Sequence, residues 1–118
     1  MTRAEFERVV REAMDALPPM FLEKLGNVEV VVRESPTRGQ VAENGGGLYG
    51  LYEGVPLNER TPEFAGALPD RITIFKRSIE RDHRDRAAML KCIRETVLHE
   101  VGHFFGLDED DLERLGIG

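Results

Sequence analysis

The sequence predicts an α+β fold: a small mixed sheet packed against an N-terminal helix and a second, longer helix, with a short helix closing the chain. Three observations carry this. An amphipathic stretch opens the chain behind a capping pattern. Three short β-rich runs follow between turn signals. A segment free of Gly and Pro, residues 84–98, then leads at helical spacing into a pair of histidines. At 118 residues the chain is sized for one domain, residues 1–118, able to bury roughly two thirds of its unfolded surface without metal or disulfide staples.

Thr2-x-x-Glu5 is a capping-box pattern, and the helix it opens carries an apolar face through Phe6, Val9, Val10, Ala13 and Leu17 before Pro18-Pro19 stops it. Val28 to Val32 is rich in β-branched valine, so it reads as a strand. Ser35 to Gly47 reads as a loop ending in Asn44-Gly-Gly-Gly, and it lacks the Gly-Lys-Ser/Thr of a phosphate loop. Leu48 to Tyr52 and Arg71 to Phe75 are the next strands, separated by a turn-rich region containing Pro56, Pro62, Gly66 and Pro69. Lys76, Arg77, Arg81, Arg84 and Arg86, with His83, form a basic stretch expected to be a solvated loop and first helical turn. Its functional alternative is a patch that attracts acidic substrate segments or supplies a cation near a transition state.

The segment after Arg84 places Leu90, Ile93, Val97, Val101 and Phe104 in one apolar stripe, and at about 100° per residue His99 and His103 point away from it. Such a helix buries one face and offers its imidazoles to a cleft. His99-Glu100-Val101-Gly102-His103 is an HExxH pentapeptide. Its histidines stand about one 5.4 Å turn apart, so both reach a single Zn²⁺ at about 2.0–2.1 Å, and the intervening Glu100 lies beside the metal as a general base. The implied chemistry is hydrolysis of a peptide bond through a zinc-activated water.

Gly102, inside the helix, costs about 1 kcal/mol relative to Ala, which points to close backbone packing. Gly106, after Phe104-Phe105, suits the C′ position, where a positive φ turns the chain back towards the histidines. Four carboxylates follow, Asp108 to Asp111. They supply candidates for a third ligand, while Asp110 or Asp111 is expected to cap a final helix.

These residues resemble the small single-domain zincin-like metallopeptidases, the minimal zincins, described by the pattern HExxHxxGxxD. The resemblance runs over nearly the whole chain. It takes in Phe6 to Pro18, the segment Gly50-Leu-Tyr52-Glu-Gly54-Val-Pro56-Leu, Leu68-Pro69-Asp70 leading into Ile72-Thr-Ile74, and Glu95 through His103. It implies a minimal zincin-like fold, one Zn²⁺ per chain held by His99 and His103, and Glu100 as catalytic base. Where the pattern has Asp, this chain has Glu109. Glu109 is the favoured third ligand. A one-residue shift to Asp108 or Asp110, or a weakly held metal, are the alternatives. The resemblance further implies that Arg71 to Phe75 or Leu48 to Tyr52 lies beside the active helix and presents an edge to an extended peptide. Tyr49 and Tyr52 either line that cleft, with a hydroxyl available to an oxyanion, or pack on a strand face.

Composition narrows the partners. A net charge of −6 opposes nucleic-acid binding as the main role. No long apolar run marks a membrane span and no charged-then-apolar leader is present, so a cytoplasmic location is expected. Cys92 has no cysteine to pair with and reads as a small, partly buried hydrophobe, too far from His103 to share its ligand set. The expected partner is a peptide or protein substrate, with a homodimer left open. The functional alternative is a zincin-like scaffold that binds metal or protein without catalysis.

Overall fold

The structure, a computed structural model, describes residues 1–60 and 70–114. The sequence signals at Pro62, Gly66, Leu68 and Pro69 fall outside them. Among the described residues the elements run α1 (Arg3–Asp15), α2 (Pro19–Lys24), β1 (Val28–Arg33), α3 (Arg38–Asn44), β2 (Gly50–Glu53), a 3₁₀ turn (Leu57–Glu59), β3 (Asp70–Phe75), α4 (Lys76–Asp82), α5 (Arg86–Phe104) and α6 (Glu109–Arg114). The predicted α+β class is the one observed.

β3 is the centre of the sheet, with β1 parallel on one side and β2 antiparallel on the other. Register puts Val30, Ile72 and Tyr52 in one row, and Val32, Ile74 and Gly50 in the next. Side chains alternate across a sheet, so these rows share one face. Helices α1 and α5 pack against each other, α1 also against β1 and α5 also against β2 and β3. Between these layers lie Phe6, Val9 and Val10 of α1, Ile72 and Ile74 of β3, and Ile93, Val97, Val101 and Phe104 of α5. Phe6, Ile72, Ile74, Ile93 and Val97 are 0% exposed. Each such side chain contributes about 1.5–3 kcal/mol of transfer free energy. Helix α5 is therefore anchored by its apolar stripe.

Thr2 caps α1 as the capping pattern predicts, its Oγ1 accepting from the Glu5 amide at 3.1 Å. Four expectations need correction. Pro19 does not merely stop α1; it opens α2, because its fixed φ and missing N–H suit a first helical turn. The Ser35 to Gly47 loop contains α3, nucleated by a reciprocal box in which Thr37 Oγ1 accepts from the Gln40 amide and Gln40 Oε1 accepts from the Thr37 amide. The basic stretch folds into α4 instead of a loop, with Lys76 donating to Glu80 one turn on at 2.7 Å. The second strand is Gly50–Glu53, two residues later at its start than expected.

Candidate metal centre

The site is built by the end of one helix and the turn that follows it. Asp85 caps α5, its Oδ1 accepting from the Ala88 amide at 2.8 Å. The helix then runs 19 residues to Phe104. Gly106 follows at φ 89°, the left-handed conformation expected of a C′ glycine. Two bonds close the end: the Gly106 amide donates to His103 O at 2.9 Å and the Leu107 amide to Gly102 O at 3.0 Å. This is the Schellman pairing. It carries the Leu107 carbonyl back to His103, whose Nδ1 donates to it at 3.0 Å.

That contact fixes the chemistry of the imidazole. A carbonyl only accepts, so the His103 proton sits on Nδ1, and in the neutral ring Nε2 is a bare lone pair. His103 Nε2 lies 3.0 Å from His99 Nε2 and 3.0 Å from Glu109 Oε1, while His99 Nε2 lies 3.1 Å from the same oxygen. Three electron-rich atoms thus converge on one point. A single proton on His99 can serve one of these contacts at a time, whereas a cation serves all three. Ligand atoms of a tetrahedral zinc stand roughly 3.3 Å apart for bonds of about 2.0–2.1 Å, close to the separations found here. Two imidazoles and a carboxylate, one imidazole held by a backbone carbonyl, are a donor set that fits zinc.

Of the run Asp108 to Asp111, the structure brings Glu109 to the imidazoles. Asp108 is occupied elsewhere: its Oδ1 accepts from the Asp111 amide at 2.8 Å, and Asp111 Oδ2 accepts from the Asp108 amide at 3.0 Å. Asp108 therefore caps α6 in place of the expected Asp110 or Asp111. Glu109, first residue of the new helix, is left directed at the histidines. Leu112 of α6 packs over Gly102, where a Cβ would overlap its side chain, so the helix glycine is needed for close packing as expected.

Glu100 is the third member of a group, with His99 and His103, whose ligand atoms all lie within 4.8 Å of one another. It is only 6% exposed. Burial pushes its carboxyl above the usual carboxylate range, opposed by the electrostatic influence of the neighbouring His99 and His103 and by the Tyr52 backbone N–H. A carboxylate made more basic in this way suits proton abstraction.

Beside these groups runs a cleft of about 1340 Å³, walled by α5 from Ala88 to His103, by Tyr49 to Tyr52, and by Pro56, Asn58 and Glu59. Among the described residues β3 is central and β2 is an edge strand, as is β1, so of the two strands expected to offer an edge it is β2 that does. The Phe75 amide donates to Tyr49 O at 2.8 Å, which turns Tyr49, Leu51 and Glu53 towards β3 and leaves the backbone groups of Gly50 and Tyr52 facing outward.

Both tyrosines line the cleft, but their hydroxyls are already engaged. Tyr49 donates to Asp82 at 2.7 Å, and that bond, with burial, pushes the phenol up to about 12. Tyr52 donates to Asp70 at 2.6 Å, and burial followed by that bond raises its phenol further. Cys92 is buried, its thiol raised by desolvation, as expected of a small hydrophobe. The basic stretch contributes only His83 to the cleft lining; Lys76, Arg81 and Arg86 are paired with Glu80, Asp82 and Glu5.

Three site features went unread in the sequence. At Gly50 a Cβ would stand 2.6 Å from Thr96 Cγ2 and 3.1 Å from Glu100 Cγ, so this glycine lets the edge strand reach α5. A glycine within a strand run was the available signal. Asp70, 4% exposed, accepts from both Tyr52 and Arg60, while Arg60 also donates to Val55 O at 2.8 Å and lies over the Phe104 ring. This clamp holds the wall after β2 against the end of α5. Asn58 then meets Gly106, donating to its carbonyl at 3.4 Å.

Comparison with known families agrees with this geometry: a family model described as zincin-like metallopeptidase matches residues 25–118, so that α1 and α2 lie outside the matched segment. No curated protein matches the chain.

Proposed function

Because the chain belongs to the zincin-like metallopeptidase family, we propose that it hydrolyses peptide bonds with one zinc ion per chain, held by His99, His103 and Glu109. The supporting observation is the convergence of three electron-rich atoms beside a buried carboxylate at the foot of an open strand edge. Zinc, when bound, supplies Lewis acidity that polarises a carbonyl and makes a neighbouring water acidic.

The chain's own residues do the rest. The outward backbone groups of Gly50 and the outward Tyr52 carbonyl offer hydrogen bonds to an extended peptide irrespective of its sequence, the Tyr52 N–H being directed at Glu100. Glu100 accepts the water proton on a carboxylate oxygen and returns it to the departing amine nitrogen. The Leu107 carbonyl keeps His103 in the tautomer that presents Nε2 to the metal. Asp70 and Asp82 hold the two phenols, so oxyanion stabilisation by tyrosine is not part of the mechanism.

A non-catalytic scaffold is the second reading, favoured by the 70% exposure of the Glu109 side chain, which leaves one ligand to be held by a six-residue helix. A panel of unstructured peptides separates the two. Hydrolysis predicts cleavage that stops with chelator and falls at least about a hundredfold in Glu100→Gln, while zinc content is retained. Cleavage that persists in that variant removes Glu100 from its role. No cleavage by the zinc-loaded wild type leaves the scaffold.

A further inference from the structure

We infer that the cleft selects extended peptides carrying a Lys or Arg side chain next to the scissile bond, on the side that meets Glu59 and Asp108. This rests on the peptidase reading above. Among the described residues, the carboxylates lining the cleft are Glu59, Glu95, Glu100, Asp108 and Glu109, against one ammonium, Lys91. Lys91 lies 3.8 Å from Glu95, so its charge is already answered. Five carboxylates outweigh Lys91 and a doubly charged ion together.

Neighbouring cations do not correct the balance. Arg60 is committed to Asp70 and Arg114 to Asp111. The excess is also polarised. Asn58 packs on Gly106, which sets the Leu57–Glu59 turn beside the turn that carries Asp108 and Glu109. Lys91 and His83 line the cleft together with Ala88 and Tyr49. At the end where His99 and His103 lie, the acidic groups are Glu59, Asp108, Glu109 and the buried Glu100, whose carboxylate accepts from the Tyr52 N–H.

A cleft of one sign with low-dielectric walls concentrates ligands of the other sign, by about tenfold or more. The preference is therefore opposite to that expected of the basic stretch, whose lysine and arginines lie outside the cleft lining.

The test uses internally quenched peptides of one apolar sequence, with Lys, Gln or Glu placed on either side of the scissile bond, and the zinc-loaded full chain. On one side the Lys peptide exceeds the Glu peptide in kcat/KM by about tenfold, the ratio shrinks as salt is raised, and Glu59→Lys reduces it at least threefold. Equal rates at both positions, or a preference for Glu, overturn the inference while leaving hydrolysis standing. Fluorescence anisotropy of the same labelled peptides on Glu100→Gln gives a readout without turnover. Tighter binding of the Lys peptide in the absence of any cleavage by the wild type supports the cleft's preference and rejects hydrolysis. Neither cleavage nor charge-dependent binding rejects both.

Discussion

At Gly102 two opposing effects meet. Replacing a mid-helix glycine by alanine ordinarily gains about 1 kcal/mol through backbone entropy. Here the new methyl falls on the Leu112 side chain, buried with 0% exposure, and overpacking of that kind costs about 1–3 kcal/mol. Gly102→Ala is predicted to lower stability, by about 1 kcal/mol net, in urea unfolding; a gain would mean that α6 does not seat there. The phenols give a second residue-scale prediction. With both hydroxyls bonded to carboxylates, alkaline titration followed by phenolate absorbance shows no tyrosine ionising near 10, and Tyr49 ionising near 12. Asp82→Asn brings one phenol back down. The raised Tyr49 value also fixes a sign: the stability it contributes is complete below about 10, the ordinary phenol value, and is lost as pH rises through about 12.

At the scale of elements, legibility followed locality. α5 could be read because its signals lie within one stretch: the Ile93–Val97–Val101–Phe104 stripe, the paired histidines, and Gly106 as terminator. α3 has an equally local nucleus in Thr37 and Gln40, but Gly39 and the glycines after Asn44 argue for a loop by propensity, and the capping pair prevails. α4 carries no wide apolar face; one buried apolar side chain, Ile79, and the Lys76–Glu80 pair hold it. In the site, His99, Glu100 and His103 lie within one pentapeptide and so could be named. The choice of Glu109 over Asp108 turns on which of them caps α6, a matter of one backbone geometry. The Asp70 clamp was out of reach, because Tyr52, Arg60 and Asp70 become neighbours only when β2, the loop after it and β3 assemble. That clamp carries its own prediction. Asp70→Leu leaves the Tyr52 hydroxyl and the Arg60 guanidinium without their acceptor, at a cost of about 2 kcal/mol, since Arg60 is partly exposed and regains some hydration. Unchanged stability in thermal unfolding would show that the clamp does not hold the wall.

Over the whole molecule, the core and the metal centre are separable. Phe6, Ile72, Ile74, Ile93 and Val97 bury α5 without any contribution from the histidines, so the metal-stripped protein is expected to fold, and zinc to add stability by mass action only. The centre itself hangs on two short pieces, the Schellman turn and α6, attached to that rigid frame. No helix among the described residues is long and apolar enough to cross a membrane. The most direct test of the account is a zinc competition titration of metal-stripped protein against a chromophoric chelator near neutral pH, run on wild type, His103→Ala and Glu109→Gln. The account predicts one zinc per chain, binding weakened at least about tenfold in each variant. Binding that is absent in the wild type, or equally tight in all three, would contradict it.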